Sequence, residues 1–328
     1  MTGQPRTGPK PILYQVRALP GGHFDRLAAG FELRGGAARP LPRPELLEAA
    51  RDAEVLVTSY IDRIDEPLLA ALPRLRHLAS YGVGVDHLDL AACRRRGLLV
   101  TNTPGVVTEA TAEHAIALML AAARRVTEGD RLIRRGGWTA VDPTFLLGTG
   151  LDGKRLGVVG LGKLGQRVAE IGRAFGMKVM AWSQNLDPAV AKKAHVKPVS
   201  KEELFSSSDV VTVHYKLSPR SEGLVGVAEL ALMKPSAVLV NTSRGPLVDS
   251  AALLAALRSG AIAGAALDVY DVEPLPLSDP LRSAPNVVLT PHLGYVTDET
   301  YQVFYGDAAE DIVAFANGAP VRVLTASL

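Results

Sequence analysis

A chain of 328 residues, 47% hydrophobic and with a formal net charge of +2, has material for two cores of about 150 residues each and carries no single-sign field. That balance argues against nucleic acid or a charged membrane surface as a partner, and no apolar run approaches the length of a membrane span. The single cysteine, Cys93, precludes an internal disulfide, and with a polar, Pro- and Gly-containing start over residues 1–11 it predicts a reducing, cytoplasmic setting.

From Pro11 onward, short apolar runs alternate with helical patterns, the signature of βαβ units around a parallel sheet. A first series predicts strands at 12–16, 54–58, 75–79 and 98–101, with helices over 44–51 and 88–96. The basic runs Arg94-Arg95-Arg96 and Arg124-Arg125 suit helix C-termini. Residues 108–125 are apolar almost all round at mid-helix, which predicts a buried spine and, by its apolarity, a surface for a homodimer. A second series predicts strands at 155–160, 178–182, 209–213, 237–241, 264–269 and 286–290, a full dinucleotide-binding complement. Ser200 with Glu203 predicts a capping box, and Gly176 and Gly260 sit where helices end. A last helical pattern, 300–316, is too short for a domain and is expected to return to the first series. The expected architecture is α/β and two-lobed. Residues 104–294 would form a Rossmann-type doubly wound parallel sheet; residues 1–103 plus 295–328 would form a smaller, flavodoxin-like substrate-binding domain.

Gly160-Leu161-Gly162-Lys163-Leu164-Gly165 follows a predicted strand and opens a predicted helix. The three glycines meet three different needs, Gly160 permitting the tight turn, Gly162 the backbone approach to a pyrophosphate, and Gly165 close helix–strand packing. The next strand ends Ser183-Gln184-Asn185, with no carboxylate before Asp187 to hold a ribose diol and no arginine to hold a 2′-phosphate. The cofactor is therefore read as NAD or NADP.

Three further segments, each just after a predicted strand, supply a guanidinium, a carboxylate and an imidazole: Arg244 in 241–245, Glu273 in 271–274 and His292 in 290–294. In an open parallel sheet all three would face the crevice beside the phosphate turn. A planar guanidinium fork suits a carboxylate, and a carboxylate beside an imidazole favours its charged, proton-donating form.

The phosphate turn together with NTSRGPLVD at 241–249, ALDVYDVEP at 266–274, NVVLTPHLG at 286–294 and SYGVGVDHLDL at 80–90 resembles the D-isomer-specific 2-hydroxyacid dehydrogenase family, in that family's order and spacing. The resemblance implies His292 as acid–base, Glu273 as its partner and Arg244 as the substrate-orienting cation. It implies Val83 and Gly84 on the substrate carboxylate; Ser59, Tyr60, Tyr81 and Tyr295 are candidates for a polar, partly aromatic pocket wall. It also implies Asp268 on the nicotinamide carboxamide, with Thr111, His214, Thr242, Ser243 and Gly294 along the cofactor beside Lys163 and Leu164. Glyoxylate or hydroxypyruvate is the implied substrate, and no metal is required. Where the family often shows His-x-Pro, this chain has His214-Tyr215-Lys216, and Lys216 is a candidate for a 2′-phosphate. Two alternatives remain: a phosphoglycerate- or phosphoerythronate-type dehydrogenase, which would need extra cations such as Arg63 and Arg74, and a nucleotide-sensing protein of corepressor type. His77, His87, His114 and His214 show no metal-ligand spacing and read as structural, His214 being the one that is also a candidate beside the cofactor.

Overall fold

The computed structural model describes residues 9–18, 22–39, 41–142 and 144–325. Its described residues up to Val106 join those from Thr297 onward in one compact unit, and Val107–Val296 form a second.

In the first unit the elements run β1 (Ile12–Gln15), β2 (Glu32–Gly35), α1 (Arg43–Ala49), β3 (Val55–Ser59), α2 (Glu66–Ala71), β4 (His77–Tyr81), α3 (Leu90–Arg95) and β5 (Leu99–Asn102). The strands are parallel in the order β2-β1-β3-β4-β5, the flavodoxin-like arrangement. Every residue of β3 and β4 is buried, the polar Thr58, Ser59, His77 and Ser80 included, so neither strand shows the in–out alternation of a half-exposed one. Asp65 and Asp89 start α2 and α3 by accepting hydrogen bonds from the backbone N–H groups of Leu68 and Ala92. The strand that the sequence pattern does not predict is β2: with none of its four residues buried, it carries no periodic signal.

The second unit continues with α4 (Thr108–Ala123), α5 (Val126–Arg134), β6 (Arg155–Val159), α6 (Lys163–Ala174), β7 (Lys178–Trp182), α7 (Pro188–Lys193), β8 (Lys197–Pro198), α8 (Lys201–Ser207), β9 (Val210–Val213), α9 (Val227–Leu232), β10 (Val238–Asn241), α10 (Ser250–Ser259), β11 (Gly264–Leu267) and β12 (Val287–Leu289). The parallel sheet has the order β12-β11-β10-β9-β6-β7-β8 and reverses between β9 and β6, the doubly wound topology. The two-residue β8 extends it beyond the six predicted strands. Gly176 takes φ +74 just past α6, where its N–H donates to Arg173 O and that of Met177 to Gly172 O, a Schellman closure; Gly260 takes φ +73 after α10. The Ser200–Glu203 box is only half made. Ser200 Oγ accepts from the Glu203 N–H at 3.1 Å, but the Glu203 carboxylate turns away to Lys197 at 2.7 Å.

Helix α4 is buried as expected, but its apolar surface is spent inside this unit. Ala112, Ala115, Ile116 and Met119 pack with Leu156, Val158, Val168, Val240 and Ala266. Apolar exposure falls instead on the segment that follows, at Val126, Ile133, Trp138, Val141 and Leu147.

The last helix, α11 (Asp298–Ala316), begins at Thr297, whose Oγ1 accepts from the Thr300 N–H, and lies against β4 and β5 of the first unit. Beyond it, Leu324 N–H donates to Val100 O, and Thr101 bridges antiparallel to Val323. Arg322 holds this return by donating to Asp311 Oδ1 at 2.8 Å and Glu310 Oε2 at 2.6 Å. Burial pushes the Asp311 carboxyl up to about 6 in spite of Arg322. Between the unfolded value near 3.8 and about 6 the folded form thus holds a proton that the unfolded chain has lost, so this group's contribution to stability falls as pH rises through that window. Urea unfolding at a series of pH values should show the stability difference between wild type and Asp311→Asn dropping by about 1–3 kcal/mol from pH 4 to 6 and levelling above it; a flat difference would contradict this account.

Candidate active site

Parallel strands deliver their C-terminal ends to one edge, and in the second sheet the register aligns them. Leu289, Leu267, Asn241, Val213, Val159 and Trp182 are partners in successive pairs across six strands. One step further along those strands stand Thr290, Asp268, Thr242, His214, Gly160 and Ser183. All but Thr290 are residues that the sequence marks for the site.

At the reversal point the three glycines divide as the sequence suggests, each for a visible reason. Gly160 adopts φ +97, and a Cβ there would land on the His214 carbonyl oxygen; a Cβ on Gly165 would land on the Gly160 carbonyl oxygen. Gly162 is backbone-extended and would meet nothing within 4 Å. It precedes the first turn of α6, which no side chain caps, so its missing Cβ leaves open an approach to helix N–H groups suited to an anion. Lys163 is exposed and Leu164 half-buried beside it. The Leu161 N–H donates to Ser183 Oγ at 3.0 Å, tying this turn to the end of β7. Gln184 and Asn185 are exposed, and Asp187 is committed to capping α7 through the Ala189 N–H at 2.8 Å, so the strand end presents no carboxylate to a ribose.

Two buried polar atoms on this edge, His214 Nδ1 and Thr242 Oγ1, have no hydrogen-bond partner among the described residues. Burial holds the His214 imidazole down at about 3, so it is neutral, with Nε2 2.8 Å from Thr212 Oγ1. Orphaned polar atoms beside an open glycine turn fit a dinucleotide that would bring their partners.

His292 lies in the turn after β12 at φ +58, a left-handed conformation. Its Nδ1 is 2.6 Å from Glu273 Oε2, while Glu273 Oε1 accepts the Tyr270 N–H at 2.9 Å. An ionised carboxylate only accepts, so Nδ1 carries the hydrogen and Nε2 is the nitrogen for proton exchange with a reacting oxygen. The ring stands edge-on to Tyr295, with centroids 5.8 Å apart. Half-buried Arg244 is shaped by its loop: Asn241 Nδ2 donates to its carbonyl at 2.9 Å, Arg244 Nη1 donates to Ser243 O at 2.7 Å, and Ser243 Oγ donates to Tyr215 O at 2.7 Å. A Cβ on the next residue, Gly245, would collide with the Tyr270 backbone, so glycine lets the Arg244 and Glu273 loops meet.

Asp268, 1% exposed, accepts from Thr290 Oγ1 at 2.6 Å and the Leu293 N–H at 2.8 Å on Oδ1, and from the Gly294 N–H at 2.8 Å on Oδ2. Burial works to raise its carboxyl, yet donors from His114, Thr290 and Leu293 hold it below the usual carboxylate range. The family resemblance turns Asp268 toward the nicotinamide; in the structure both of its oxygens hold the His292 turn. Gly294 is small because a Cβ would come within 3.1 Å of Asp268 Oδ2 and 3.3 Å of Thr111 Cγ2. Sequence reasoning missed Thr290, Tyr270 and His114 as parts of this site; Thr290 and Tyr270 lie inside its quoted motifs.

In the first unit Val83 is exposed and Gly84 half-buried, in a loop where Asn102 Nδ2 donates to Val83 O at 3.1 Å. Ser59 and Tyr81 are differently placed. The Ser59 hydroxyl donates to Asp62 Oδ2 at 3.1 Å, and Tyr81 is packed edge-on against Tyr305 at 5.4 Å, so both side chains belong to the interior of their unit. Among the described residues no helix is long and apolar enough to cross a membrane, and no His, Cys, Asp and Glu group is arranged to hold a metal.

Residues 116–294 match the family model of the D-isomer specific 2-hydroxyacid dehydrogenase NAD binding domain. A glyoxylate reductase of Aeropyrum pernix is 48% identical over 284 residues, 85% of this chain and 85% of that protein. One from Thermococcus litoralis is 40% identical, over 94% of this chain and 95% of its own length. Among solved structures, a Thermus thermophilus protein with 43% identity covers 95% of this chain and 99% of its own, with a TM-score of 0.89.

The glycines separate folding from binding. Gly162→Ala should leave the thermal midpoint within about 2 °C, since its Cβ meets only open space, yet weaken dinucleotide binding at least ~10-fold in a fluorescence titration. Gly165→Ala should lower stability by more than about 2 kcal/mol through the clash with Gly160. A Gly162→Ala protein that binds the dinucleotide normally would refute the approach assigned to that glycine.

Proposed function

The chain belongs to the D-isomer specific 2-hydroxyacid dehydrogenases, oxidoreductases of the CH–OH group that use a nicotinamide dinucleotide, and on that premise we propose that it reduces glyoxylate to glycolate or hydroxypyruvate to D-glycerate. One observation carries the residue roles: the 2.6 Å contact of Glu273 with His292 Nδ1, with the other Glu273 oxygen held by the Tyr270 N–H. The dinucleotide, when bound, supplies the hydride. Residues 160–165 and 183–185, with Thr242 and His214, would hold it. Glu273 fixes the imidazole so that Nε2 gives its proton to the keto oxygen as the alcohol forms, and takes one in the reverse direction. Arg244 binds the substrate carboxylate and polarises the keto group with a fork that lysine lacks. Val83 and Gly84, by the family resemblance, are candidates for binding a substrate carboxylate. NADPH and NADH are both accepted in this reading, because exposed Gln184 and Asn185 neither repel nor grip a 2′-phosphate.

Relatives bearing the name glyoxylate reductase do not favour the phosphorylated-substrate or corepressor alternatives. Arg63 lies 3.5 Å from Asp65, with 84% of its side chain exposed, and Arg74 is exposed, so neither offers a prepared phosphate site. We place the enzyme in the cytoplasm on its one, fully buried thiol, Cys93. We also propose a homodimer that covers Val126, Ile133, Trp138, Val141 and Leu147, between 55% and 88% exposed, too much apolar surface on one segment for a chain alone.

Loss of NADPH or NADH absorbance should be rapid with glyoxylate or hydroxypyruvate and slow with phosphohydroxypyruvate. His292→Asn should cut kcat by roughly 10²–10⁴-fold, and Arg244→Lys should raise the keto-acid KM at least ~10-fold. Faster turnover of the phosphorylated acid, or none at all, overturns the substrate assignment. Sedimentation should show a dimer that Ile133→Asp disrupts; a monomeric wild type would exclude that interface.

A further inference from the structure

Asp268 brackets His292 along the chain. Thr290, two residues before it, and Leu293 and Gly294, the two after it, all donate to the one carboxylate, while Tyr270 Oη donates to Thr290 O at 2.9 Å. A non-glycine residue at φ +58 keeps that backbone only where its surroundings over-determine it.

One more group joins the knot from α4. His114 Nε2 lies 3.2 Å from Asp268 Oδ1 and 3.1 Å from Thr290 Oγ1. Thr290 gives its hydroxyl hydrogen to Asp268, so its oxygen is an acceptor toward His114, and Nε2–H is the shared donor to both. We propose that His114 is a positioning residue for the acid–base histidine: through Asp268 and Thr290 it fixes the turn that aims His292. The inference rests on the role given to His292 above. Without this donor, Thr290 Oγ1 loses the hydrogen it accepts and Asp268 Oδ1 keeps only Thr290 and the Leu293 N–H, on a carboxylate 1% exposed, a costly state. The repair is rotation of the Thr290–Asp268 pair toward water, which pulls the 291–294 turn with it and moves His292 away from Glu273. His114 needs no contact with substrate or cofactor for this.

His114→Leu removes the donor at similar bulk, and His114→Gln keeps an N–H at similar reach. The first readout needs no turnover: the Nδ1–H proton of His292, bound to Glu273, gives a downfield, slowly exchanging proton NMR signal, assigned by its loss in His292→Asn. It should persist in wild type and His114→Gln and disappear in His114→Leu. With the keto acid, His114→Leu should lose at least ~10-fold in kcat, with the dinucleotide KM within about 2-fold, and His114→Gln should recover kcat to within about 3-fold. An unchanged imidazole signal in His114→Leu overturns the proposal. So does equal loss in both variants in step with a lowered melting temperature, which would make His114 a packing residue. If wild type reduces no keto acid, the substrate reading fails while the imidazole signal still decides this one.

Discussion

The parallel register of the second sheet is the constraint on which the site depends. Strands that all point one way and are paired without slippage must finish together, and the row from Leu289 to Trp182 is that finish. Residues far apart in sequence, from Gly160 to Thr290, become neighbours along one edge with no special contact having to draw them together. A one-residue slip in any strand would turn its terminal side chain to the opposite face. The buried apolar strands, Val238–Asn241 and Gly264–Leu267 among them, hold the register by packing on both faces.

On this edge the chemistry is layered. Glu273 touches the imidazole, Tyr270 holds Glu273 through its N–H and Thr290 through its hydroxyl, and Asp268 secures the turn. A buried carboxylate would be expensive alone. With Thr290, Leu293, Gly294 and His114 around it, Asp268 stays ionised and becomes the anchor of a backbone that would otherwise relax.

What the sequence could tell depended on whether the physics was local. The glycine turn was legible because each missing Cβ answers a steric demand within a few residues of chain, and the strand-end placement of Arg244, Glu273 and His292 was legible because parallel topology follows from alternating patterns. Strand β2 was hidden, since an unburied edge strand has no apolar rhythm to detect. The Ser200 cap was foreseen but not the fate of Glu203, because Lys197 competes for it from outside the helix. Tyr81 sits in the 80–90 motif that resembles a substrate loop, and only tertiary structure shows its ring packed against Tyr305, as it shows the Ser59 hydroxyl on Asp62. His114 reads only as structural from the sequence, because its partners lie more than 150 residues away.

The first unit is built from two separated stretches of chain, and this dictates an order of events during synthesis. The second unit is complete in sequence at Val296, before any residue of α11 exists. Until Asp298–Ala316 emerges, β4 has its neighbours in the sheet but not the helix that packs on it, and Tyr81 lacks Tyr305 and Phe304. The nascent chain thus carries a finished dinucleotide fold while the sheet face that bears His77 and Tyr81 still waits for its cover, a state in which that face is open to misassembly.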